Sequence, residues 1–215
     1  MNPEFRSTHS ISRTSATLTW TFLLLCASVT PCMSDDAASA AQAVVRDTAD
    51  ALFMRLRAEG DGIEKDSKRL HAIAEEIVIP HFDFKRMSQR ALGRYWREAT
   101  PEQREHFAAE FKTLLVRAYA RAVVSYRNAK INYLAARSLG PDTVRIRTEV
   151  LRENGAPPVQ IDYEVFQQGT DWKGTDVSLN GVSLVISYRA GFASDIGKLG
   201  MDGLIAQLAQ HNAGG

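Results

Sequence analysis

The spacing of apolar residues changes part-way along this chain, and that change limits the folds open to it. Val45, Ala49, Leu52, Phe53 and Leu56 recur every three or four positions, as on one face of a helix. Leu70, Ile73, Ala74, Ile77 and Val78 repeat the pattern from about Asp66. Pro80 ends that second helix, because the residue before a proline avoids helical angles. Asp83 opens a short helix through Met87, Ala91 and Leu92, closed near Gly93. Thr100-Pro101-Glu102-Gln103 predicts the next start: Thr100 caps, Pro101 takes the first position, and Gln103 reaches back to complete a capping box. This helix is expected to reach about Tyr126, with Phe107, Phe111, Leu114, Leu115, Ala118, Tyr119, Ala122 and Val123 on its apolar face.

After Lys130 the period falls to two. Thr143 to Val150 alternates, with Val144, Ile146, Thr148 and Val150 on one side. Val159, Ile161, Tyr163 and Val165 alternate against Gln160, Asp162 and Glu164. One apolar face and one wet face per strand is the pattern of an antiparallel sheet. Lys130 to Leu134 and Trp172 to Leu179 add two further strands, and residues 154–158 are the turn between the central pair. Helices resume over Gly181–Lys198 and Asp202–Gln210. The expected fold class is α+β: N-terminal helices, a curved antiparallel sheet of about four strands, and C-terminal helices that fold back over the sheet.

Composition narrows the function classes. Of 215 residues, 45% are hydrophobic and 24% charged, as in a globular domain rather than a disordered chain. The net charge of +1 makes no electrostatic case for a nucleic-acid partner. Both cysteines, Cys26 and Cys32, precede the patterned region, so no cysteine-based zinc site is available downstream.

The N-terminus reads as a signal peptide, residues 1–40. Arg6 and Arg13 precede an apolar run from Leu18 to Val29, too short to span a bilayer as a helix. Ala38-Ser39-Ala40 supplies small residues for cleavage after Ala40. An uncleaved membrane anchor, or acylation at Cys26 or Cys32, are the alternatives. Without residues 1–40 the chain keeps 24 basic and 22 acidic residues and no cysteine. Residues 41–212 are expected to form a single domain outside the cytoplasm.

A search for chemistry finds little. There is no phosphate-binding glycine loop, and Gly181-Val182-Ser183-Leu184-Val185 lacks the second glycine of a nucleophile elbow. His71, His81, His106 and His211 form no metal-ligand pair, so no metal site and no cofactor are expected. Asp162 and Glu164 share a strand face and could be an acid/base pair, but a solvated sheet edge accounts for them. Arg86, Arg90, Arg94 and Arg97 would stack on a continuous helix. Such a stripe suits anionic head groups or an acidic partner protein. It could equally be a wet face paired with Glu98, Glu102 and Glu105, and Gly93 stands where it could be broken.

Three blocks of the sequence carry a further signal. The first is Phe82 to Trp96, with Ala99 to Arg104 and Phe107 to Tyr119. The second is Trp172-Lys173 with Asp176 to Leu184, and the third is Tyr188-Arg189, Phe192 and Gly200 to Ile205. In order and together these blocks resemble the MlaC-type family of periplasmic phospholipid-binding proteins, also called the toluene-tolerance auxiliary component family, and the resemblance covers essentially all of residues 41–210. Gly174 departs from it, since a bulkier residue is common there, and a locally loosened strand is expected.

The resemblance implies a carrier with an apolar cavity between sheet and helices, and no catalysis. Its ligand would be a phospholipid. Its partners would be an outer-membrane lipoprotein–porin complex and an inner-membrane ABC transporter with an MCE-domain protein. Facing pattern and resemblance together nominate the lipid-binding residues Leu115, Tyr119, Val123, Ile146, Val150, Ile161, Tyr163, Val165, Val177, Leu179, Leu184, Tyr188 and Phe192. Asp176, Ser183 and Arg189 match motif positions and read as structural. Other readings are a carrier for another lipid such as a hopanoid, a small cavity-bearing enzyme with a buried acid, and an adaptor with a filled core.

Overall fold

The computed structural model describes residues 35–152 and 155–214. Residues 1–34 of the expected signal peptide lie outside the described residues, and 35–40 belong to the first helix. No helix among the described residues is long and apolar enough to cross a membrane.

Helix α1 (Asp35–Glu59) leads through a tight turn to α2 (Ser67–Ile73), which Asp66 caps by accepting from the Arg69 amide at 2.9 Å. A wide π turn over Ala74–Val78 and a 3₁₀ turn at Ile79–His81 carry the chain past Pro80. Helix α3 (Phe84–Leu92) is capped by Asp83 and ends at Gly93, whose positive φ of 58° a side chain would strain. After the single turn of α4 (Tyr95–Glu98), the long α5 (Pro101–Val124) begins with the expected capping box. The Gln103 amide donates to the Thr100 hydroxyl at 3.2 Å, and the Gln103 side chain accepts from the Thr100 amide at 3.0 Å.

Six antiparallel strands follow: β1 (Lys130–Tyr133), β2 (Arg137–Gly140), β3 (Thr143–Leu151), β4 (Val159–Gln168), β5 (Asp171–Leu179) and β6 (Val182–Ser183). The order is β1-β3-β4-β5-β6, and β2 shares an edge of β3 with β1. The expected four strands are β1, β3, β4 and β5. The two extra ones are four and two residues long, too short for an alternating pattern.

Strand β5 carries the detail that shapes the sheet. Gly174 pairs with Val165, but Asp176 pairs with Glu164, so Thr175 is an extra residue. This bulge reconciles Trp172 with Val177, which sit at odd spacing yet serve the same face. Past it, Asp176 and Ser178 turn to the polar face and Val177 and Leu179 to the apolar one. The Thr175 hydroxyl donates to the Glu164 carbonyl at 3.2 Å.

The chain ends with α6 (Leu184–Ser187) and α7 (Arg189–Ala213), the latter broken at Gly200, where φ is 73°. That break separates the two C-terminal helices expected from sequence.

Small domains usually have one contiguous core. Here most of the buried apolar residues fall into three groups. One joins α3, α5, α6 and α7 around Phe107, Phe111, Val185 and Leu204. A second packs Ala41 and Val45 of α1 on Val144, Ile146, Val165 and Trp172. The third joins Leu56, Ile63, Leu70, Ile73 and Val124.

Candidate functional site: an apolar cavity

Between the three groups lies a cavity of about 560 Å³. Its floor is the apolar sheet face: Val150, Val159, Ile161, Tyr163, Val165, Val177 and Leu179, with Trp172 and Gly174. Helix α5 supplies Leu115, Tyr119 and Val123, and Leu184 comes from α6. The opposite wall is α1 and α2, through Val45, Ala49, Leu52, Phe53, Leu56, Leu70 and Ile73. Phe82, Phe84 and Met87 close the side nearest α3.

Ten of the thirteen nominated residues therefore lie on this wall. Ile146, Tyr188 and Phe192 do not. Ile146 shares the sheet's apolar face, but the start of α1 covers it fully. Tyr188 and Phe192 stack with Phe107 and Phe111, their ring centres between 5.3 and 5.6 Å apart. That aromatic group is solid core. Burial pushes the Tyr188 hydroxyl up to about 12, with a contribution from Tyr119.

The wall formed by α1 and α2 was missed. Its residues are the same apolar faces that predicted those helices. The periodicity was complete, but nothing in it said that the faces would meet a hollow.

The cavity floor holds a phenol. Burial raises the pKa of Tyr163 far above its ordinary value, so it remains neutral. Among the described residues no group of three or more His, Cys, Asp or Glu is placed to hold a metal. A more open hollow of about 620 Å³ lies between the 3₁₀ turn at Ile63–Lys65 and the end of α5, but Glu64, Lys65, Arg121 and Arg127 give it a charged wall.

The arginine stripe does not form. Gly93 ends α3, so Arg86 and Arg90 belong to one helix, Arg94 to the junction and Arg97 to the next. Arg86 lies over the Phe166 ring at 3.6 Å and pairs with Asp83 at 3.1 Å. Arg90 turns onto the polar face of the sheet, where it pairs with Glu164 and, at 3.4 Å, with Asp176. Arg94 stacks on its neighbour Tyr95. Asp176, only 3% exposed, also accepts from the Ser183 hydroxyl at 2.5 Å and the Val185 amide at 3.4 Å. Arg189 donates to the Arg90 carbonyl. Asp176, Ser183 and Arg189 thus fasten helices to the sheet. Asp162 and Glu164 face this side too, away from the cavity.

Gly174 has its own reason. A Cβ there would lie 2.6 Å from the Phe82 ring. Phe82 bridges to Gly174, and the Asp83 amide donates to the Gly174 carbonyl at 2.9 Å. The position is tightly packed. The irregularity beside it is the bulge at Thr175.

The family model described as MlaC protein matches residues 46–210. The chain belongs to the MlaC family. It is 28% identical over 171 residues to an intermembrane phospholipid transport system binding protein from Haemophilus influenzae, covering 78% of this chain and 79% of that one. It is 29% identical over 161 residues to a toluene tolerance protein, ttg2D, from Pseudomonas putida, covering 74% of each. A solved structure is also similar, that of a phospholipid-binding protein from Ralstonia solanacearum in complex with a phospholipid. The two share 34% identity and a TM-score of 0.71, over 80% of this chain and 97% of the other. Membership of this family makes the chain a binding protein rather than an enzyme.

Proposed function

We propose that this MlaC-family chain carries phospholipid through the periplasm, its acyl chains held in the cavity between the sheet and helices α1, α2 and α5. The observation that carries the reading is the cavity itself, about 560 Å³ with an almost wholly apolar wall. A filled interior, expected of an adaptor, is not what the fold has. The bound phospholipid of the Ralstonia solanacearum relative supports the same reading.

The physical demand explains the design. Moving hydrocarbon into water costs about 0.8 kcal/mol per CH₂, so two acyl chains cost on the order of 20 kcal/mol. A dry wall of Val, Leu, Ile and Phe side chains removes most of that cost without choosing between chain lengths. Donor and acceptor then need only a small difference in affinity for transfer to run either way.

The proposed partners are an outer-membrane lipoprotein–porin complex and an inner-membrane MCE-domain protein of an ABC transporter. In that role the chain maintains outer-membrane lipid asymmetry. Residues 1–40 act as its export signal, with cleavage near Ala40 leaving residues 41–212 as the carrier. Detergent-free purification from the native host, followed by lipid extraction and mass spectrometry, tests the reading. Near-stoichiometric phospholipid is expected. Hopanoid in its place would change the cargo, and protein free of lipid would overturn the proposal.

A further inference from the structure

We infer that Arg152 selects phospholipids of net negative charge by holding the head-group phosphate at the cavity mouth. This deepens the carrier reading and rests on it. Among the described residues, Arg152 is the only Asp, Glu, Lys or Arg in the cavity wall. It follows β3 and is exposed, as are Leu179 at the end of β5 and Asn180 just after it, which also line the cavity. These three mark where the hollow meets water.

The guanidinium is held in place. Its Nε and Nη2 donate to the Pro157 carbonyl at 3.0 and 2.8 Å, across the turn between β3 and β4. Its Nη1 has no protein partner among the described residues, and no carboxylate among them pairs with Arg152. The contrast with Arg90, consumed by Glu164 and Asp176, is direct.

The consequence follows from charge and geometry. Acyl chains lying on the sheet floor leave the phosphate at the mouth, beside a guanidinium whose side-chain freedom is already spent. Any phospholipid offers the phosphate. A zwitterionic head group also brings an ammonium close to an arginine that no carboxylate among the described residues neutralises, whereas an anionic one does not. The expected result is a preference between head groups, with no effect on how the chains are held.

The test is loading of the delipidated protein from vesicles of equal phosphatidylglycerol and phosphatidylethanolamine with matched acyl chains. Bound lipid is then weighed by mass spectrometry. The wild-type protein should take phosphatidylglycerol in about fivefold excess, the size of one exposed charge contact. In Arg152→Gln the two lipids should load in a ratio of about one. Arg152→Lys should fall between, because it keeps the charge and loses the fixed fork. The wild-type excess should also shrink in about 0.5 M salt, a readout that needs no variant. An unchanged excess in Arg152→Gln, or a wild-type protein that loads both lipids equally, overturns the assignment and leaves the carrier reading standing. A wild-type protein that loads neither lipid removes both.

Discussion

Gly174 leaves room for one aromatic ring. With Phe82 in the space a Cβ would fill, Gly174→Ala forces the ring or the strand to move. Overpacking of this kind costs about 1–3 kcal/mol. Thermal unfolding should show that loss, and Phe82→Leu in the same chain should recover part of it. Gly174→Ala as stable as wild type would mean that the ring yields freely into the cavity. At Val165 and Val177 the expected effect falls on binding. Either residue changed to Glu places a carboxylate in an apolar wall, and lipid should no longer co-purify with the folded protein. Full lipid yield would remove that residue from the binding surface. Val177 alternates with Leu179, but it stands at odd spacing from Trp172. The odd spacing between the two was a sign of the bulge, but no local signal says which residue is the extra one.

Among the elements, α3 depends on a charged clasp. Arg90 ties it to Glu164 and Asp176 on the sheet. Arg90→Ala would leave the buried Asp176 short of a partner, at a cost of about 1–3 kcal/mol, measurable by denaturant unfolding. Helices α1 and α2 are joined differently. Glu59 accepts from Arg69, at 2.5 Å at the closest, and from Arg55 at 2.9 Å. These two, Arg69 foremost, lower its pKa to about 2. A depressed carboxylate stabilises the fold above its ordinary pKa and loses that effect as pH falls through the folded value. Glu59→Gln should therefore melt below wild type at neutral pH, and the gap should close between about pH 4.5 and 2. A gap that stays constant with pH would mean the pair contributes through shape alone. Helix boundaries were legible because caps are local: Asp66, Asp83 and Thr100 each act on an amide three residues away. Whether the arginines form a stripe was open in the sequence, because Gly93 can end a helix or sit inside one. The tertiary contact between Arg90 and Glu164, 74 residues apart, has no local signature.

For the whole molecule, the hollow replaces what would otherwise be the middle of a core. Its sheet floor and its wall on α5 could be read from facing patterns. Its extent could not, because a helix face looks the same whether it meets another side chain or a space. Ligand should therefore act as missing core. Loaded protein should melt higher than delipidated protein, by about 2.7 kcal/mol of added stability at a lipid concentration 100-fold above Kd. Calorimetry with and without phospholipid checks this, and identical melting curves would mean that phospholipid does not bind the folded protein in preference to the unfolded chain.

The extra residue in β5 separates two properties that usually change together. Deleting Thr175 would keep Asp176 outward and Val177 inward, since the pairs on either side of it already match. The bend would go, and with it the hydrogen bond from the Thr175 hydroxyl to the Glu164 carbonyl. Straightening that one strand would flatten the concave floor and redraw the space above it, with every lining side chain still present. The capacity of such a carrier could thus be altered by the loss of a single codon, leaving its chemistry untouched.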